Sequence, residues 1–416
     1  MEILETIKSK TEYFRKTRFA LFSTAILKEP LFSMYNLAAF ILRKDLGATA
    51  FHLAIFTMLR PTLSFLAFFW STNISKRPDK IKNNFLIAEL LSCILFLFFP
   101  LVQSIWLVII ASAFHIMFYR AGVPAWMETI KLNIEKDQRS KLYSWSSSLA
   151  YVVAALVSLF IGPILKKGDG MYQYLFFGAA LLALSNVLIL VRVPVNYDKT
   201  KIKLHDNTSF LKKIYEPIKE SFSLMATKKD FAFFHYGFTI VGFAMMFIQP
   251  IIPIFCADVL KLSHTEFAFG MLVFRSIGYA ISSPLWGRLL TKMPIIKLSG
   301  IMFVNTAIFM ICLVCSIYSP VWFYLAYFIL GVALAGSHVL WNLSGTIFAD
   351  KENSALYTRV NLAMVAIRGA VGPTIGSYLA IFLSPIVILF IGSFLCLYSG
   401  YKFVRNKYVL LSAIKK

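Results

Sequence analysis

Charge is scarce in this sequence, and acid is scarcer still. Only 15% of the 416 residues are charged, with 20 Asp and Glu against 42 Lys and Arg. Soluble domains carry about 25% charged and about 45 to 50% apolar residues, whereas here the apolar share is 58%. That balance excludes an ordinary soluble globule. The net charge of +22 would point to nucleic acid in a soluble chain, so its meaning depends on where the cations fall. Cysteine is sparse as well. Cys93, Cys256, Cys312, Cys315 and Cys396 all lie inside apolar runs, which excludes a disulfide framework and a zinc-ligand spacing. Cys312 and Cys315 form a CxxC without a nearby His, Asp or third Cys, so helix packing accounts for them and neither a metal nor a cofactor is expected. No GxxxxGK[ST] segment occurs and no loop is long enough for a nucleotide domain, which excludes an ATP-driven pump.

What the chain has instead is a series of apolar runs long enough to cross a bilayer as helix, about 20 residues each. Spans 1 to 6 are expected at Arg18–Ile41, Thr49–Asn73, Phe85–Val102, Ile105–Ile130, Leu142–Leu165 and Tyr172–Val191. Spans 7 to 12 follow at Phe231–Cys256, Phe267–Gly287, Leu298–Ile317, Val321–Phe348, Tyr357–Leu383 and Ile386–Val404. The expected fold is an all-α polytopic membrane protein of twelve transmembrane helices: an N-terminal six-helix bundle over 1–191, a connector over 192–230 and a C-terminal six-helix bundle over 231–416. The connector is too basic to span. Its Phe210, Ile214, Ile218 and Phe222 recur every four residues, as in a surface helix whose apolar face lies on the bilayer while Lys212, Lys213 and Lys219 meet headgroups.

Basic loops near helix ends stay in the cytoplasm. Of the 42 cations, 32 fall on the side of the N-terminus and connector and five on the other, so both termini are expected to be cytoplasmic. A multi-pass protein of a bacterial inner membrane is the matching location. Glu2, Glu5 and Glu12 mix with basic residues and no small-residue cleavage site follows, so the N-terminal segment does not read as a signal peptide.

The halves repeat at an offset near 215. Arg60 falls on Arg275, Trp70 on Trp286, Trp126 on Trp341, Lys136 on Lys351 and Gly162 on Gly376. Six spans separate equivalents, so the halves run the same way through the membrane, a parallel repeat about the membrane normal. Each half also has a basic loop after its second span, Ser71 to Lys82 and Gly287 to Lys297. In these architectural features the sequence resembles the major facilitator superfamily of secondary transporters. The family's loop signature G-x-L-A-D-R-x-G-R-K persists as Gly287-Arg288-Leu289-Leu290-Thr291-Lys292-Met293-Pro294, with Thr291 and Ser75 in place of its Asp and Pro294 and Pro78 in place of its second Gly. Arg120-Ala121-Gly122 echoes the R-x-x-Q-G of span 4. The resemblance implies alternating access by rocking of two bundles, with spans 1, 4, 7 and 10 lining a central cavity and spans 3, 6, 9 and 12 facing lipid.

Five cations remain inside the membrane: Lys28, Arg60, Arg120, Arg275 and Arg368. Each costs about 2.5 to 3.5 kcal/mol at a helix centre, so they must face partners or a wet site. None falls on spans 3, 6, 9 or 12. Glu29 is the acid nearest the midplane, and Glu89 and Glu128 are expected nearer the cytoplasmic end, there to pair with Arg120 as gating or structural polar groups. An excess of fork donors in a low-dielectric site suits carboxylate or phosphate. Arg60 and Arg275, as repeat equivalents at similar depth, are expected to clamp an anion together with Arg368 and Lys28, while Trp341, Asn342 and Gln249 supply aromatic and amide contacts. Glu29 and His338 are candidate proton-coupling groups. His115 and His235 read as packing histidines, and Pro30 and Pro61 are expected to kink their helices.

The expected function is therefore a secondary active transporter of a small organic anion such as a phosphorylated metabolite, nucleotide or carboxylate, acting as a monomer in the lipid bilayer with no nucleic acid partner. A lipid or lysophospholipid flippase on the same scaffold is the alternative. A polytopic enzyme is a further one, although the non-cytoplasmic loops hold only the isolated acids Asp45, Asp169, Asp258 and Glu266.

Overall fold

The computed structural model describes residues 2–71, 78–168, 170–195, 223–349 and 354–405. Every regular element among them is helical, as expected of a chain that must satisfy its backbone within hydrocarbon. Nine helices among the described residues are long and apolar enough to cross a bilayer: Thr11–Lys44, Ile81–Leu101, Ile105–Asn133, Trp145–Leu165, Met171–Leu190, Lys229–Val259, Ile295–Cys315, Pro320–Ser344 and Pro385–Val404. They stand where spans 1, 3 to 7, 9, 10 and 12 were expected. Helix also occupies the other three places, as Ala50–Ser71, as the run from His264 to Lys292, and as Ser354–Leu379. Each of these three carries one of the expected membrane arginines, Arg60, Arg275 and Arg368.

The chain divides into two compact units, Met1–Gly47 with Thr62–Asp206, and Ala48–Pro61 with Asn207–Lys416. Ala48–Pro61, within the second expected span, groups with the second unit. The amphipathic face around Phe210 to Phe222 lies outside the described residues.

In the first unit, span 1 begins earlier than hydropathy placed it. Helix Glu2–Leu27 extends through a polar stretch in which Glu12 and Lys16 pair at i and i+4, and a second helix, Glu29–Lys44, continues it with Pro30 in its first turn. Pro30 has no N–H to bond the carbonyl four residues back, and the helix breaks at Lys28. Pro61 behaves otherwise, since Ala50–Ser71 runs through it as one helix. Side chains tie span 1 to its neighbours: Asn133 Nδ2 donates to Thr17 Oγ1 at 2.8 Å, Ser146 Oγ to the Leu21 carbonyl at 3.1 Å and Asn186 Nδ2 to Thr24 Oγ1 at 3.1 Å.

In the second unit, span 7 packs on spans 11 and 12, and span 10 on spans 8 and 9. Glycine permits the closest crossings, as is usual where backbones must approach in a membrane. A Cβ at Gly331 of span 10 would run into the Arg275 carbonyl of span 8, and one at Gly376 of span 11 would run into the Phe247 carbonyl of span 7. These contacts fix where the arginines of spans 8 and 11 emerge.

Candidate functional site

Arg368 is the most fully specified of the sequence-predicted site residues. It lies on Ser354–Leu379 two turns before the Gly376 crossing, and its guanidinium reaches span 7, where Nη1 donates to the Phe238 carbonyl. It rests on Gly242, where a Cβ would overlap the guanidinium. On the other side its Cζ lies 4.8 Å from the Trp341 ring centroid, a cation–π contact that gains weight away from water. Trp341 is held in turn by polar groups on its own carbonyl, which accepts from Ser344 Oγ at 2.7 Å and from Asn361 Nδ2 at 3.2 Å. Asn361 Nδ2 also reaches Ser344 Oγ at 3.0 Å. His235, fully buried, sets its ring 5.6 Å from Trp341 and 4.5 Å from Phe231.

This cluster holds more polar capacity than its described neighbours satisfy. Arg368 Nε, Asn361 Oδ1 and both ring nitrogens of His235 are buried without a hydrogen-bond partner among the described residues. Leaving such a group unsatisfied costs about 1 to 3 kcal/mol. No carboxylate pairs with Arg368 among the described residues. The arrangement can therefore take an oxygen acceptor beside Arg368.

Arg275 opens the helix Arg275–Lys292, directly after a π-helical stretch, Phe269–Phe274. Such widened turns recur at functional sites. Arg275 is half-buried, and Tyr279, one turn on, places its hydroxyl 3.0 Å from His338 Nδ1 on span 10. His338 and Asn342 are one turn apart and both exposed, so this face of the second unit presents a mixed polar row. Gln249 is exposed at the end of Lys229–Ile248, beside Pro250. The Arg60 side chain lies outside the described residues, and its backbone belongs to the segment Ala48–Pro61 that groups with the second unit, the unit of Arg275.

The first unit corrects one expectation. Glu89 pairs with Lys28 and not with Arg120: the ammonium at the helix break meets Glu89 Oε2, the two side chains being 16% and 7% exposed. Lys28 also lies 4.9 Å from the Tyr119 ring centroid. Glu128 likewise goes elsewhere, to Lys131 at 3.0 Å on the exposed end of its own helix. Arg120 is exposed. Glu29 accepts from Ser33 Oγ at 3.4 Å. His115 Nδ1 lies 2.9 Å from the Ser92 carbonyl, its ring 5.4 Å from Tyr35 and 6.0 Å from Tyr119.

The sequence reading missed Tyr119, Tyr279 and Asn361. Two of them were within reach of periodicity. Tyr279 follows Arg275 by one turn and Asn361 precedes Arg368 by two, the spacings that share a helix face. Tyr119 carried no comparable signal, because its partner Lys28 lies on another helix.

The family model described as Major Facilitator Superfamily matches residues 21–373. Among curated proteins there is no significant match. Solved structures share the fold: a mutant of the nucleoside transporter NupG, at 14% identity, aligns over 93% of this chain and 98% of its own with a TM-score of 0.73. A mutant of the peptide transporter POT in complex with alafosfalin, also 14% identical, aligns over 94% and 93% with a TM-score of 0.71. A bacterial homolog of the human lysosomal transporter Spinster, inward-facing and unoccupied, aligns over 94% and 98% at 14% identity with a TM-score of 0.63.

Proposed function

The chain belongs to the Major Facilitator Superfamily, and from that premise we propose that this multi-pass secondary transporter carries a small organic anion, a phosphorylated metabolite, nucleotide or carboxylate. The observation that carries the reading is Arg368: a half-buried arginine stacked on Trp341, without a carboxylate among the described residues and with its buried Nε unbonded. A cation kept in low dielectric without a fixed counter-charge gains most from an anion that arrives with the substrate. Its fork geometry favours carboxylate or phosphate over a neutral solute.

Arg275 and its repeat equivalent Arg60, both in the second unit, form the second part of the anion site, with Asn342 and Gln249 as further contacts. Tyr279 orients His338 there, and Glu29 and His338 are the groups through which a proton is coupled. Arg120, Glu89 and Glu128 serve gating or structural roles. The protein acts as a monomer in a bacterial inner membrane, with both termini in the cytoplasm.

Uptake into proteoliposomes tests the reading. Phosphorylated metabolites, nucleotides and carboxylates are offered beside neutral sugars and lysophospholipids, to the native protein and to Arg368→Gln. Saturable uptake of an anion by the native protein, strongly reduced in Arg368→Gln, is the expected result. Preference for neutral solutes, or lysolipid transfer indifferent to Arg368, would overturn it.

A further inference from the structure

The last helix, Pro385–Val404, has one buried face and one outward face whose chemistry changes along its length. Phe403 anchors the inner side: it is fully buried, stacked on Phe233 at 4.5 Å and edge-on to Phe303 at 5.0 Å. At about 100° per residue, the side opposite Phe403 carries Phe390, Phe394 and Leu397, then Tyr398 and Tyr401, then Arg405, with Lys402 at its edge. Phe394 is 67% and Tyr401 57% exposed. From Phe394 to Arg405 the rise is about 16 Å, half of a hydrocarbon core about 30 Å thick. Apolar, then phenolic, then cationic is also the order met on leaving the bilayer centre: acyl chains, interface, phosphate.

The cations at the end of this face are held in place. Lys402 Nζ lies 4.8 Å from the Tyr398 ring centroid and 5.4 Å from that of Tyr236, which arrives from span 7. Arg405 Cζ lies 4.9 Å over the Tyr401 ring, and its Nη1 donates to the Tyr401 hydroxyl. Neither cation pairs with a carboxylate among the described residues. The last helix, with Tyr236 of span 7 beside it, thus presents two steadied positive charges at the head of an exposed apolar stripe.

We propose that Lys402 and Arg405, cuffed by Tyr236, Tyr398 and Tyr401, bind the phosphodiester of an anionic phospholipid in the leaflet on the connector side, with its acyl chains along Phe390 and Phe394. Charge complementarity selects an anionic headgroup, and the continuity of the cations with the apolar stripe selects a lipid over free phosphate. The site shares no residue with the substrate site above, so the two readings stand or fall separately.

Thermal unfolding of the full-length protein in a neutral detergent tests this, with added short-chain phosphatidylglycerol, phosphatidylcholine or inorganic phosphate. Phosphatidylglycerol should raise Tm where the other two do not. Lys402→Gln with Arg405→Gln should remove most of that rise and weaken the apparent affinity about 5-fold per cation. The charge-keeping pair Lys402→Arg with Arg405→Lys should retain the rise, as should Arg288→Gln with Lys292→Gln, which deletes two cations from the loop after span 8. An equal phosphatidylglycerol response in the Gln pair and the native protein, the same rise with inorganic phosphate, or the same loss in the Arg288 and Lys292 control would overturn the proposal.

Discussion

Arg368 and Glu89 are the two side chains whose surroundings make the sharpest demands. For Arg368 the fork and the platform matter as well as the charge. Arg368→Lys keeps the cation but loses the planar donor set and its stacking on Trp341, so uptake efficiency should fall about 10-fold or more, equivalent to about 1.4 kcal/mol. Gly242→Ala reaches the same residue without removing any polar group, because the new methyl takes the place of the guanidinium. It should impair uptake comparably while the protein still inserts and purifies. Glu89 raises a stability question. Glu89→Gln leaves the Lys28 ammonium without its anion in a site where the pair is 16% and 7% exposed, and breaking such a buried pair costs about 3 to 5 kcal/mol. The Tm should drop, and adding Lys28→Met should recover most of the loss; a double variant no better than Glu89→Gln would show that the pair is not the source. Glu29 is separable from Glu89 by function: Glu29→Gln should abolish proton-driven accumulation while substrate-for-substrate exchange continues, and unchanged accumulation would move coupling elsewhere.

At the scale of elements, the helix crossings place the arginines. Gly331 lets span 10 lie against the Arg275 carbonyl, and Gly376 lets span 11 lie against the Phe247 carbonyl. Any side chain there meets backbone, which cannot rotate away as a side chain can. Gly331→Ala and Gly376→Ala should therefore destabilise by about 1 to 3 kcal/mol, the cost typical of overpacking, read as a fall in Tm. Gly287→Ala is the control, since a Cβ there meets nothing within 4 Å; an equal fall in all three would assign the effect to glycine flexibility and not to the crossings. The break at Lys28 is the corresponding feature of span 1. Pro30 interrupts the hydrogen-bond ladder there, and the interruption brings Lys28 to the start of the second helix with Glu89 beside it.

For the whole molecule, the cation asymmetry of 32 to five sets the expected orientation. In a cysteine-free background, a Cys at Asn207 should react only with reagent on the cytoplasmic side and a Cys at Gly170 only from outside; labelling of both from one side would overturn the twelve-span topology. The membrane character, the helical class, the repeat and the family follow from the sequence alone, because each rests on properties that survive averaging along the chain: apolar run length, charge bias and a fixed offset between equivalents. Depth was legible only in part. Span 3 was expected to start at Phe85, but its helix begins at Ile81, so Glu89 lies two turns inside and meets Lys28, a residue 61 positions away. Which way a side chain points across the bundle, and which of several arginines finds an acid, depends on helix tilt, breaks and glycine crossings that periodicity on one helix cannot encode. Hence Arg368 with Trp341, Tyr279 with His338 and Lys28 with Glu89 were decided only by the tertiary packing, because a buried polar group can pair only with what neighbouring helices bring within reach.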